Sequence, residues 1–212
     1  MPARLPGGVP DRVIVGLGNP GVRYAGTRHN VGFAVVHELV DRLKARPLER
    51  RDDYEAWQTD LAERSLAIVM PLRFMNLSGE ALEVFRERHG AISPANCLVV
   101  VDDVYLPTGT LRLRAQGSDG GHNGLESVRL ALGSAEFPRL RIGVGEPDDG
   151  SDVLADHVLS EFEPEELPLV RESIERACDA ALLWAREGIT AAMNQFNVRP
   201  RAERDNTPEG ER

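Results

Sequence analysis

The chain has 212 residues and a mass of 23.3 kDa, which at roughly 150 residues per domain reads as one domain, large enough to bury a core without a disulfide or metal staple. Asp and Glu outnumber Lys and Arg by 34 to 25, for a net charge of −9. With 42 % apolar and 28 % charged residues, this excludes a collagen, a mucin, a coiled-coil rod and a wholly disordered chain. The acidity argues against coating nucleic acid by bulk charge, but leaves room for a local basic face.

Residues 1–11 are rich in Pro and Gly and are expected to be loose, with no apolar core of a signal peptide in MPARLPGGVPDR. Arg12–Leu17 (RVIVGL) is a β-branched strand running into the turn GNPG. Val31–Lys44 carries Val31, Val35, Val36, Leu39, Val40 and Leu43 at helical spacing, and Pro47 is expected to close it. Glu55–Arg64 and Ser65–Met70 read as two strands of a hairpin, followed by a loop over Pro71–Leu77. Ser78–His89 reads as a helix with Ala81, Leu82 and Phe85 on one face, stopped by Gly90.

Leu98–Val101 is a buried strand ending in Asp102 and Asp103. Thr110–Ala115 and Arg139–Val144 alternate apolar residues with arginine, as half-exposed strands do. Between them lie a glycine-rich loop, Gly117–Gly124, and a short helix, Leu125–Leu132. Glu165–Glu187 is a long amphipathic helix with acids in its first turn and Gly188 after it. Residues 199–212 are polar and read as a disordered tail. Helices alternate with strands, so the fold class is α/β: one three-layer domain over residues 12–198, a mixed central sheet with helices on both faces. CLVVV at 97–101 is the longest strongly apolar run, far short of the ~20 residues a membrane span needs. Cys97 and Cys178 read as free thiols in a reducing compartment, so the cytoplasm is expected.

Several segments carry chemistry. GLGNPG at 16–21 matches G-x-G-x-x-G, with Glu38 downstream. Pro20, however, stands where a pyrophosphate-binding helix would begin, and proline has no N–H to donate. A tight strand-to-loop turn is the alternative. His29 lies just before a helix, placed either to act as a general base or to cap the helix and pair with a carboxylate. Asp102 and Asp103 end a buried strand, where a carboxylate can orient a histidine or simply close a turn.

His122 and Asn123 sit in GGHNG, whose glycines permit close backbone approach to a ligand or a purely structural turn. Phe74, Met75 and Asn76 pair an aromatic with an amide, which suits a pocket or a packed helix start. Arg112 and Arg114 share one strand face, as do Arg139 and Arg141; on neighbouring strands the four would form a phosphate-binding patch, and otherwise two solvated faces.

Other chemistries find no support in the sequence. Lys44 is the only lysine, so there is no Walker lysine. No two of His29, His37, His89, His122 and His157 are spaced as zinc ligands on a helix, and neither cysteine has a nearby ligand. No G-x-S-x-G elbow occurs. Aromatics are sparse at 5 %, against a sheet that stacks single-stranded RNA.

Taken together, VGLGNPGVRYAGTRHNVGF at 15–33, FMNLSG at 74–79, VVDDVYLPTGTLRLR at 100–114, GGHNGLESV at 120–128, FPRLRIGVGEP at 137–147 and AMNQFN at 192–197 resemble the bacterial-type peptidyl-tRNA hydrolase family. The resemblance spans residues 12–197 in the family's order. It implies a monomeric hydrolase that needs no metal or cofactor. Such an enzyme cleaves the ester between a peptide and the 3′ ribose of tRNA, and so recycles tRNA from stalled or aborted translation. It implies His29 as general base, Asp102 as its orienting carboxylate and Asn19 as the discriminator of N-blocked substrates. Tyr24, Phe74, Asn76 and Asn123 match substrate-contacting positions, with His122 in support.

The departures are Tyr105, where the family often has a second aspartate, and Leu72 and Arg73, where it is usually threonine-rich. Two further readings compete: an RNA-binding relative without hydrolytic activity, and a dinucleotide-dependent oxidoreductase built on GLGNPG.

Overall fold

The computed structural model describes residues 8–61, 63–147 and 154–197. The expected disordered tail over 199–212 and most of the expected loose start lie outside these residues. Seven strands form one sheet: β1 Arg12–Gly16, β2 Arg46–Arg50, β3 Tyr54–Leu61, β4 Arg64–Pro71, β5 Cys97–Asp103, β6 Leu111–Arg114 and β7 Arg139–Gly143. Their order is β2-β3-β4-β1-β5-β7-β6. The β4-β1-β5-β7 centre is parallel, and the outer pairings β2–β3, β3–β4 and β6–β7 are antiparallel. The sheet is therefore mixed, as the expected hairpin implied.

Period two on the central strands divides the core in two. Ile14, Leu98, Val100, Leu140 and Ile142 face α1 (Val31–Leu43), α5 (Leu167–Glu187) and α6 (Ile189–Phe196). Val13, Val15, Val99 and Val101 face α2 (Ser78–His89) and α3 (Asn123–Leu132), through Leu82, Phe85, Leu125 and Val128. The short α4 (Leu154–Leu159) lies apart from both layers, over the carboxyl ends of the strands.

α1 starts hard against the strands. A Cβ on Gly16 would lie 2.3 Å from the Gly32 carbonyl oxygen, and one on Gly32 would lie 2.4 Å from the Leu17 oxygen and 2.7 Å from the Val100 oxygen. Only glycine fits at this crossing, and it brings the residues before α1 to the end of β5.

Several expectations change. α1 ends at Leu43 with Lys44 left-handed (φ 48°), its N–H turned back to Asp41 and Val40. Pro47 does not close that helix; it lies in the edge strand β2, where a missing N–H costs no ladder bond on the solvent side. β4 takes in Pro71, which was expected in the following loop. α5 begins at Leu167, so Glu165 and Glu166 precede its first turn rather than fill it. α4 and α6 were not anticipated. β7 is buried except at Arg141, not half-exposed, because it lies inside the sheet between β5 and β6.

Candidate active site

In parallel α/β sheets, ligands bind outside the carboxyl ends of the strands. Here a cleft of about 560 Å³ opens at that edge. β1 delivers Asn19 to it, β4 the Phe74–Asn76 turn, β5 the Asp102–Tyr105 turn, and the glycine loop His122 and Asn123. α4 forms the facing wall through Leu154, Val158 and Leu159.

His29 occupies a 3₁₀ turn, Arg28–Asn30, that leads into α1. Its Nδ1 lies 2.8 Å from Asp102 Oδ1, and His122 Nε2 lies 3.0 Å from the same oxygen. The tautomers follow from the neighbours. His122 is the N-cap of α3, and its Nδ1 accepts the backbone N–H groups of Gly124 (3.1 Å) and Leu125 (3.3 Å). The proton of His122 is therefore on Nε2, which donates to Asp102. His29 likewise donates from Nδ1, which leaves its Nε2 lone pair for the cleft.

The side chain of Asp102 is 2 % exposed. Burial pushes its carboxyl up, but the contacts of His122 and then His29 outweigh that and hold it well below the usual carboxylate range. Asp102 is thus a fixed anion at neutral pH. His29, Asp102 and His122 also bring three possible ligand atoms within 4.8 Å of one another. The hydrogen bonds just described already account for all three facing atoms, and a cation there would have to displace the His122 proton and break the pairing.

Asn19 is clasped from both sides. Its N–H donates to Asn30 Oδ1 (2.8 Å), and its carbonyl accepts from Asn30 Nδ2 (3.0 Å). Its Oδ1 accepts the Met75 N–H at 2.8 Å, so the end that remains for a ligand is the amide NH₂. The GLGNPG segment accordingly acts as a turn that presents Asn19. Its second glycine, Gly18, packs on Phe33, whose ring a Cβ would approach to 2.7 Å, and helix α1 begins only at Val31. Only a three-residue 3₁₀ turn, Val22–Tyr24, follows the glycines directly, not the α-helix N-terminus that a dinucleotide pyrophosphate needs.

Asn76 and Asn123 are exposed on the cleft lining. Tyr24 stands behind the rim, edge-on to Phe74 with ring centroids 6.3 Å apart. Arg73, one of the two departures before the FMN turn, is tied to Asp53 and Glu80.

The four arginines are neighbours, with Arg112 opposite Arg141 and Arg114 opposite Arg139. They are not equivalent. Arg139 is 1 % exposed, lies over the Phe137 ring, and donates to the carbonyls of Gly117, Ser118, Ala135 and Phe137. Burial, with the charge of Arg141 adding to it, pulls its guanidinium down to about 10, still protonated at neutral pH. Arg139 therefore does not belong to a phosphate-binding surface; it fastens the loop before α3. Arg141 lines the cleft and pairs with Asp103, whereas Arg112 and Arg114 are exposed.

Two features escape sequence reasoning. Arg28, beside the histidine, is buried and reaches the Val144 carbonyl (2.8 Å) and Glu166 (2.5 Å), which precedes α5. The Arg28 N–H also donates to the Ser160 carbonyl, which ties the end of α4 to the His29 turn. These partners lie more than a hundred residues away, and no local spacing announces them.

The peptidyl-tRNA hydrolase family model matches residues 13–205. The chain belongs to the peptidyl-tRNA hydrolase family. It is 44 % identical over 186 residues to the peptidyl-tRNA hydrolase of Syntrophomonas wolfei, covering 88 % of this chain and all of that one. Against that of Roseiflexus castenholzii the identity is 47 % over 188 residues, covering 89 % and 87 %. Among solved structures, the peptidyl-tRNA hydrolase of Acinetobacter baumannii superposes with a TM-score of 0.82 at 32 % identity, covering 88 % of this chain and 94 % of that one. Membership in the family agrees with the fold and with the order of the motifs. Among the described residues, no helix is long and apolar enough to cross a membrane.

Proposed function

We propose that the protein hydrolyses the ester between a peptide, or an N-blocked aminoacyl group, and the 3′ ribose of tRNA, with His29 as general base. The observation that carries this is the His29–Asp102 hydrogen bond of 2.8 Å, which commits Nδ1 and leaves Nε2 as a base in the cleft. A water held by Nε2 attacks the ester carbonyl as its proton passes to the ring. Asp102 supports the imidazolium that forms. The tetrahedral intermediate collapses, the ribose 3′ oxygen leaves with the proton from His29, and the products are a free carboxylic acid and tRNA. An ester is activated enough to need no covalent intermediate.

Asn19, Asn76 and Asn123 offer neutral amide donors for the developing oxyanion and for the carbonyls of the last peptide residues. The free NH₂ of Asn19 is matched to an acylated amino group, whose carbonyl accepts a hydrogen bond; a free ammonium offers only donors. Phe74 lines the apolar side of the entrance, and Tyr24 supports it from behind. His122 supports the site through Asp102. Arg112, Arg114 and Arg141 take acceptor-stem phosphates, which give affinity without sequence readout, as an enzyme open to every tRNA requires. The functional unit is residues 12–198, acting as a cytoplasmic monomer, with 1–11 and 199–212 outside it.

The test is release of the aminoacyl group from N-acetyl-aminoacyl-tRNA and from the same tRNA carrying the unblocked amino acid. Fast release from the blocked ester alone is expected. No release from either leaves an RNA-binding relative as the better reading.

A further inference from the structure

Among the described residues, the aromatic side chains left exposed are Phe74 and Tyr105, at 54 % and 63 %. Both line the cleft. Phe74 leans on Tyr24, whereas Tyr105 presents its ring to solvent.

The turn that bears Tyr105 is fixed by one carboxylate. Asp103 Oδ1 accepts the Tyr105 N–H at 3.0 Å, and Asp103 Oδ2 accepts from Arg141 Nη1 at 3.1 Å. The ring and a guanidinium are thus held at either end of Asp103. From Arg141 the basic face continues across the sheet to Arg112, its register partner, and to Arg114. The preceding residue on β5, Asp102, holds His29. Tyr105 lines the same cleft as the base and Arg141. A substrate whose ester lies at His29 and whose phosphates lie on those arginines runs its last nucleotides through that cleft, where this ring is exposed. Those nucleotides are unpaired in tRNA, so their bases are free to stack.

We infer that Tyr105 is a stacking platform for an unpaired base of the tRNA 3′ end, the terminal adenine or the cytosine before it. The inference rests on the proposed function. Every base has a π face, so the contact adds affinity without selecting among tRNAs. An aspartate in its place would offer the RNA a negative charge and no ring.

The experiment is binding of a tRNA acceptor minihelix ending in CCA, followed by fluorescence anisotropy with wild type, Tyr105→Ala and Tyr105→Phe. Each is repeated with minihelices made abasic at one or the other of the two terminal positions. Tyr105→Ala should weaken binding of the intact RNA about 10-fold, within the range one stacked base contributes, and Tyr105→Phe should restore it. One abasic RNA should bind wild type as weakly as the intact RNA binds Tyr105→Ala, with no further loss when the two changes are combined. No loss in Tyr105→Ala, or a full loss that persists on both abasic RNAs, overturns the inference.

In turnover of N-acetyl-aminoacyl-tRNA the loss should appear in KM. A loss that grows with peptide length on the same RNA would assign the ring to the peptide and also overturn the inference. The binding arm needs no hydrolysis. Failure of wild type to cleave would count against the proposed activity, and the base dependence would still decide the stacking.

Discussion

His122 joins the fold to the chemistry, and its removal has a magnitude that can be worked from its contacts. On one side it caps α3, accepting two backbone N–H groups on Nδ1. On the other it donates Nε2–H to a buried carboxylate. Losing a helix N-cap costs ~1 kcal/mol, and losing a hydrogen bond to a charged group ~1.5–3 kcal/mol. His122→Ala should therefore destabilise the protein by about 2.5–4 kcal/mol. At roughly 2–4 °C per kcal/mol for a chain of this size, Tm should fall by about 5–16 °C.

His122→Asn restores an oxygen acceptor at the cap, so it should lose less stability than the alanine variant. In both variants Asp102 keeps one donor of two, and His29 is held less firmly. Because small misplacements of a reacting group are costly, kcat at neutral pH should fall about 10-fold, with a smaller change in KM. The assays are guanidinium or thermal unfolding together with deacylation of N-acetyl-aminoacyl-tRNA. Stability within ~0.5 kcal/mol of wild type in the alanine variant, with unchanged kcat, would refute the tautomer assignment and the shared-oxygen geometry.

Other predictions follow from the same contacts. Glu166 is held down to about 2, first by its hydrogen bonds to Arg28, against burial and with help from the Glu163 N–H and Thr108. A depressed carboxyl stabilises the fold above its ordinary value of about 4.5, and that stability is lost as pH falls from there toward about 2. Glu166→Gln should flatten that part of the acid-unfolding curve. It should also cost about 1–3 kcal/mol at pH 7, less than for a fully buried pair because Glu166 is 24 % exposed; an unchanged acid limb would contradict this. Gly32→Ala drives a methyl into the Leu17 and Val100 backbone. It should either abolish soluble protein or yield a folded form with markedly reduced kcat, measured by deacylation; a stable, fully active variant would count against the close crossing of α1. Arg112→Ala and Arg114→Ala should each weaken tRNA binding and lower the salt slope by nearly one, whereas Arg139→Leu should lower Tm, because its guanidinium braces four carbonyls. A Tm unchanged in Arg139→Leu, or salt slopes unchanged in the other two, would reverse that division.

α1, with its apolar stripe, and α2, bounded by Gly90, were legible to within a residue, because periodicity and glycine stops are local signals. The β3–β4 hairpin was legible as a pair, but its turn lies earlier than expected, with β3 ending at Leu61 and Arg64 opening β4. β2 was hidden by Pro47, which reads as a breaker unless the strand is known to lie at an edge. α4 spans six residues, too few for a 3.6-residue period to show. Arg139 was misplaced because period two assigns a residue to a face but says nothing of what covers that face; here the carbonyls of Gly117 and Ser118 fold over it.

For the site, residue types and motif resemblance pointed to His29 and Asp102. Their juxtaposition depends on β1 and β5 lying side by side and on two glycines at the α1 crossing. The Arg28–Glu166 pair spans 138 residues, and nothing local in either segment points to the other.

In the proposed mechanism Nε2 of His29, oriented by Asp102, activates water for attack on the ester. The most direct measurement is single-turnover deacylation of N-acetyl-aminoacyl-tRNA at pH 7 by wild type and by His29→Ala, with tRNA binding measured for both. A rate lower by about 10²–10⁴-fold is expected in the variant, with tRNA affinity kept. A variant that deacylates within a few-fold of wild type would contradict it and move the base to another residue of the cleft.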